Sequence, residues 1–152
     1  MVILLDTGIL LRLLHRSDPQ HGSIRDALRQ LRKRGDRFGI SPQNAAEFWN
    51  VCTRPAQARG GFGLSIVETD RRLRLAERLF PVLPDLSTAY ARWRQFLVLQ
   101  GVMGVQVHDA RLVAWMETHG IGHILTLNPA DFSRYPGITS ITPQDVVAVG
   151  SP

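Results

Sequence analysis

Four carboxylates in this sequence, three at element ends or in a loop and one on a helix, ask for a chemical explanation. Asp6 interrupts the apolar run "MVILLDTGILLRLL" at the point where a strand hands over to a helix. Glu47 lies in "NAAEFWNV", Asp109 opens "DARLVAWM", and Asp131 follows Asn128 in "LNPADF". Each has an ordinary structural explanation. Asp6 and Asp109 suit helix caps, Glu47 a solvated helix face, and "LNPADF" a turn. Together they offer oxygen ligands with no lysine nearby to neutralise them. Carboxylates brought close repel and raise one another's pKa unless a divalent cation holds them. Hard cations such as Mg²⁺ or Mn²⁺ prefer such donors, keep some water and bind phosphates.

Such a convergence needs elements that deliver it. Val2 to Leu5 read as a strand buried on both faces, and Ile9 to Leu14 as a helix directly after it. "SIRDALRQLRKRG" keeps Ile24, Ala27, Leu28 and Leu31 on one helical face and stops at Gly35. "RFGIS" reads as a strand. "PQNAAEFWNVC" reads as a helix with Ala45, Phe48, Trp49 and Cys52 on one face, which puts Glu47 roughly opposite. "ARGGFGLS" reads as a mobile loop by its glycines, followed by a helix from about Ser65 to Leu79 and a brief strand in "FPVLPD". Two more helices, "STAYARWRQFLVLQ" and "VHDARLVAWMETHG", precede strands in "HILTL" and "ITSIT". In the second, Asp109 is in phase with Leu112, Val113 and Met116 and points inward. Strands alternating with helices predict an α/β fold with a mostly parallel sheet. If the first strand and "HILTL" are parallel, Asp6, Asn128 and Asp131 share the carboxyl edge of the sheet, where sites form in such folds.

Composition narrows the class. A chain of 152 residues without repeats or linkers reads as a single domain, residues 1–152, with a substantial core. One cysteine, Cys52, excludes an internal disulfide and fits a reducing compartment. The apolar start is broken by Asp6 and Arg12 and lacks signal-peptide features, so the expected location is the cytoplasm, with no membrane span. Of the 18 basic residues only Lys33 is a lysine, and the arginines concentrate in Arg25–Arg37 and Arg71–Arg94. Such a surface permits a nucleic-acid partner, though solvated helix faces explain it equally.

The segments "ILLDTGIL", "NAAEFWNVCTRP", "VHDARLVA" and "ILTLNPADFSRYPGI" resemble, in order and approximate spacing, the PIN domain, and within it the VapC-type toxins. The resemblance implies a three-layer α/β/α sandwich around a mostly parallel sheet, carrying a Mg²⁺- or Mn²⁺-dependent endoribonuclease site. Asp6, Glu47 and Asp109 match the three acidic positions of the motif. At the fourth, Asn128 stands where many relatives carry aspartate, and Asp131 is the nearest acid. Gly8 replaces a serine, threonine or asparagine, leaving Thr7 and Thr126 as hydrogen-bonding partners. A metal on Asp6 and Asp109 would activate water at the phosphorus, giving 5′-phosphate and 3′-hydroxyl ends without a histidine base. The implied partners are RNA, a VapB-like antitoxin whose C-terminal segment covers the cleft, and a second copy in a homodimer. The "RGGFGLS" loop and the arginines of Arg71–Arg78 are open candidates for touching substrate.

Other chemistries fit less well. A haloacid-dehalogenase-type phosphatase wants a second aspartate two residues after the first, where this chain has Gly8. "RGGFG" follows no strand and is not a dinucleotide fingerprint, and Lys33 lies in no phosphate loop. His119 and His123 are separated by helix-breaking Gly120 and Gly122, which argues against paired zinc ligands. Trp49, Trp93 and Trp115 fall on apolar stripes and read as core. The alternative from a different class is a non-catalytic PIN-like module that binds RNA or a protein.

Overall fold

Ile3, Leu4 and Leu5 have no exposed surface, and their alternation divides the interior in two. In the computed structural model, which describes residues 1–149, β1 (Val2–Leu5) lies inside a four-stranded sheet. Its neighbours are β2 (Arg37–Gly39) and β3 (His123–Leu125), with β4 (Thr139–Ile141) beyond β3, and every pairing is parallel. Ile3 stands opposite Phe38, and Leu4 opposite Ile124. Because strand side chains alternate between faces, Ile3 and Leu5 join one apolar cluster and Leu4 and Ile124 the other.

Among the described residues, seven α-helices surround the sheet. On the Ile3 face lie α1 (Thr7–Leu13), α2 (His21–Lys33), α3 (Pro42–Thr53) and α7 (Pro143–Val149), through Ile9, Ile24, Phe48 and Val146. On the Leu4 face lie α5 (Ala89–Leu99) and α6 (Gln106–Thr118), through Phe96, Val113 and Met116. Helix α4 (Ile66–Leu79) packs against α3 and adds Leu73 to the first cluster. Each large apolar side chain so buried contributes about 1.5–3 kcal/mol relative to exposure. The three-layer α/β/α sandwich with a parallel sheet is the expected architecture. No helix among the described residues is long and apolar enough to cross a membrane.

Three local expectations need correction. "FPVLPD" supplies only a bridge between Val82 and Ile40. Pro81 and Pro84 lack the N–H groups a longer ladder would use. The loop containing "ARGGFGLS" is tied down: Phe62, Gly63 and Leu64 donate backbone hydrogen bonds to Val51, Arg54 and Cys52 at 2.8–3.0 Å. Phe62 and Leu64 also pack against the core. Its glycines serve close approach, since a Cβ at Gly61 would lie 2.3 Å from the Pro55 carbonyl oxygen. Finally, α6 begins at Gln106, so Asp109 stands inside its first turns and is no cap.

Gly61→Ala should therefore destabilise the protein by about 1–3 kcal/mol through steric overlap, read as a lower urea midpoint. An unchanged midpoint would mean that this loop is not held against Pro55 in solution.

Candidate active site

The strand order reverses at β1: the chain leaves it for β2 on one side and returns through β3 on the other. The crevice at the carboxyl ends of β1 and β3 is the usual place for a ligand in an open parallel sheet. Asp6 follows β1 directly, and Thr126 follows β3. Asp6 caps α1, its Oδ1 accepting from the Thr7 N–H at 2.7 Å. Its Oδ2 accepts from the Thr126 hydroxyl at 2.6 Å. Thr126 is fully buried, and its Oγ1 in turn accepts from the Asn128 N–H at 3.0 Å. Both carboxylate oxygens of Asp6 are thus oriented, one by Thr7 at the start of α1 and the other by Thr126 just beyond β3.

Glu47 is held as firmly. Its Oε2 accepts from Thr7 Oγ1 at 2.7 Å and its Oε1 from Gln43 Nε2 at 2.8 Å. Thr7 Oγ1 accepts from Asn44 Nδ2 at 3.1 Å, and Asn44 is locked into a capping box with Ser41. Gln43 Nε2 also donates to the His108 carbonyl at 2.9 Å, joining α3 to the turn of α6 that carries Asp109. The buried face of α3 runs through Gln43, Asn44, Phe48 and Cys52. Glu47, three and four residues after Asn44 and Gln43, flanks that face; the expectation that it lies opposite the apolar face is corrected. Ala45 and Trp49 are only half-buried.

The acids sense one another. Burial, above all, pushes the Asp6 carboxyl above the usual carboxylate range, against the pull of the Thr126 and Thr7 hydrogen bonds. Glu47 and Asp131 push it further in the same direction. The Asp109 carboxyl is pushed up to about 6, first by burial and then by Asp131, Asp6 and Glu47, with His108 opposing. Among the described residues none of these four carboxylates forms an ion pair with a basic side chain. Asp131 is an exposed residue of the 3₁₀ turn Pro129–Phe132 and is the fourth acid acting on Asp6 and Asp109. Asn128 is exposed, and its carbonyl accepts the Asp131 N–H at 3.2 Å.

Among the described residues no three acids or histidines close into a preformed ion cage. The donor set is nonetheless all carboxylate oxygen, uncompensated and under mutual repulsion, which fits a hard divalent cation that keeps part of its water shell. Residues that the sequence reading missed are Ser41, Gln43 and Asn44. Their signal is the string "SPQN", an N-cap serine and N1 proline followed by a second amide three residues on.

A family model described as the PIN domain matches residues 3–138. Among solved structures the chain is similar to VapBC2 from Rickettsia felis bound to a DNA fragment from their promoter. The TM-score is 0.69 at 16% identity, over 93% of this chain and 98% of that one. A toxin–antitoxin complex from Klebsiella pneumoniae gives 0.62 at 20% identity, over 93% and 97% of the two chains. VapC20 from Mycobacterium tuberculosis, a sarcin–ricin loop cleaving toxin, gives 0.57 at 17% identity, over 80% and 86%. At these identities the shared property is the fold. No curated protein matches the chain.

The repulsion among the acids has a measurable cost. Asp109 titrates higher in the folded chain than its ordinary value of 3.8. Below that value both states are protonated and nothing is lost. As pH rises through about 6, the folded state carries an unfavourable charge that the unfolded state carries freely, so stability falls. Metal-free Asp109→Asn should accordingly be more stable than the parent at pH 7.5 by about 1 kcal/mol after solvent screening. The gain should shrink as pH approaches 4. A lower melting temperature for the variant at pH 7.5 would refute the repulsion.

Proposed function

Because this chain belongs to the PIN domain family, we propose that it is a Mg²⁺- or Mn²⁺-dependent endoribonuclease, the toxin of a toxin–antitoxin pair. The observation that carries this reading is the approach of Asp6, Glu47, Asp109 and Asp131 at the switch point of the sheet without a neutralising cation. The similarity to a toxin–antitoxin complex and to a sarcin–ricin loop cleaving toxin supports it.

Asp6 and Asp109 would hold the cation, with Glu47 bound to it directly or through water and Asn128 or Asp131 completing the set. When bound, the cation supplies an activated water and charge stabilisation at the phosphate. Thr126 and the Thr7 N–H keep Asp6 from turning away. Glu47, fixed by Thr7 and Gln43, orients the attacking water. Water oxygen bonds to phosphorus as the P–O3′ bond breaks, leaving a 5′-phosphate and a 3′-hydroxyl. The partners follow from the same reading: RNA, a VapB-like antitoxin with its C-terminal segment over the cleft, and a second copy of the chain in the cytoplasm. Val98, Leu99, Met103 and Val105, all at least 72% exposed around the α5–α6 turn, support a homodimer surface.

The test is cleavage of total RNA with Mg²⁺, with Mn²⁺ and with EDTA, mapping the new 5′ ends. Metal-dependent cuts bearing 5′-phosphates are expected, falling by about 100-fold or more in Asp6→Asn and Asp109→Asn. Mn²⁺ should also raise the melting temperature of the parent and of neither variant. A folded, antitoxin-free chain that binds RNA and cuts none would instead be an RNA-binding module.

A further inference from the structure

Beside the carboxylates lies a second feature. A cavity of about 240 Å³ opens between the start of α3, the first turns of α5 with the segment before it, and α6, with Tyr90, Trp93 and Trp115 among its walls. Gln43 is the partition between the two. Its Nε2 faces Glu47 and the His108 carbonyl, while its Oε1 accepts from Arg111 Nη1 at 3.1 Å. Arg111 also lines the cavity and stands two residues beyond Asp109.

The walls are built for a flat, polar-edged ring. The Trp93 indole N–H is spent on the Val107 carbonyl at 3.1 Å and that of Trp115 on the Pro84 carbonyl at 3.2 Å, which fixes both rings. Tyr90 inclines at 49° to Trp93 with centroids 5.7 Å apart, and it is 64% exposed, closing against no other aromatic among the described residues. The Arg111 guanidinium is flattened between Gln43 and Asp85, the latter at 3.5 Å, with donors left over. Asp85, on the cavity rim, provides an acceptor next to those donors. Nucleobases present a donor and an acceptor side by side on one edge and a π face above it.

We propose that this cavity receives one unpaired base of the RNA next to the phosphate at the carboxylates, stacked on Tyr90 and Trp93 and read by Arg111 and Asp85. The proposal rests on the nuclease reading for its position relative to the cut, but base binding itself needs no metal.

Fluorescently labelled tetraribonucleotides, one homopolymer of each base, are titrated in EDTA against the full chain, Tyr90→Ala and Tyr90→Phe. Stacking predicts about tenfold weaker binding for Tyr90→Ala and near-parental binding for Tyr90→Phe, which keeps the ring. In Mg²⁺, Tyr90→Ala should raise KM for RNA by a similar factor at nearly constant kcat. Equal RNA affinity for the parent and Tyr90→Ala, with unchanged KM, overturns the proposal while leaving nuclease activity intact; a cavity that takes an apolar side chain of a protein partner behaves so. Tyr90-dependent binding without any cleavage sustains the base site and refutes the nuclease reading instead.

Discussion

The hydrogen bond from Thr126 to Asp6 fastens the carboxyl ends of the two central strands to a group that burial disfavours. An ionised carboxylate in such surroundings is costly unless its lone pairs are satisfied. Thr126 and the Thr7 N–H satisfy two of them and fix the direction in which the remainder point. The sheet order, the cap of α1 and the hydroxyl at the end of β3 thus serve a single side chain. Rigid strands suit the purpose, because a ligand built on regular structure keeps its geometry better than one on a loop.

The same economy governs the other half of the site. Ser41, Asn44, Thr7, Glu47 and Gln43 form one continuous chain of hydrogen bonds from the cap of α3 to the backbone of α6. Each member satisfies its neighbour, and removing one leaves a buried partner unpaired at a cost of about 1–3 kcal/mol. Such networks are cooperative, so the position of Glu47 depends on a serine that touches it nowhere.

Most of the frame was legible before any coordinates. The apolar run at Val2–Leu5, the periodic face of α2 and the "HILTL" strand announce their elements, and Asp6 at the end of β1 marks the candidate site. What escaped is physically intelligible. Asn44 and Gln43 are polar residues on a buried face, so counting apolar residues rotates α3 and misdirects Glu47. Helix α6 begins on Gln106 without a side-chain cap, so Asp109 looked like its start. The short α7 escaped because "QDVVAV" is β-branched and is helical through its packing against α2. The prolines of "FPVLPD" allow one bridge where apolar content suggested a strand.

The pairing of β1 with β3 has a temporal side. Asp6 and its hydroxyl partner are separated by 120 positions, with six helices, β2 and β3 between them. During synthesis the aspartate emerges 120 residues ahead of the threonine. Closing so long a loop is entropically slow, and contacts of this range form late in folding. Until then the first strand has β2 alone to lie against, and the crevice has one wall. Until the third strand is complete, Asp6 has the Thr7 N–H but not the hydroxyl that fixes its second oxygen.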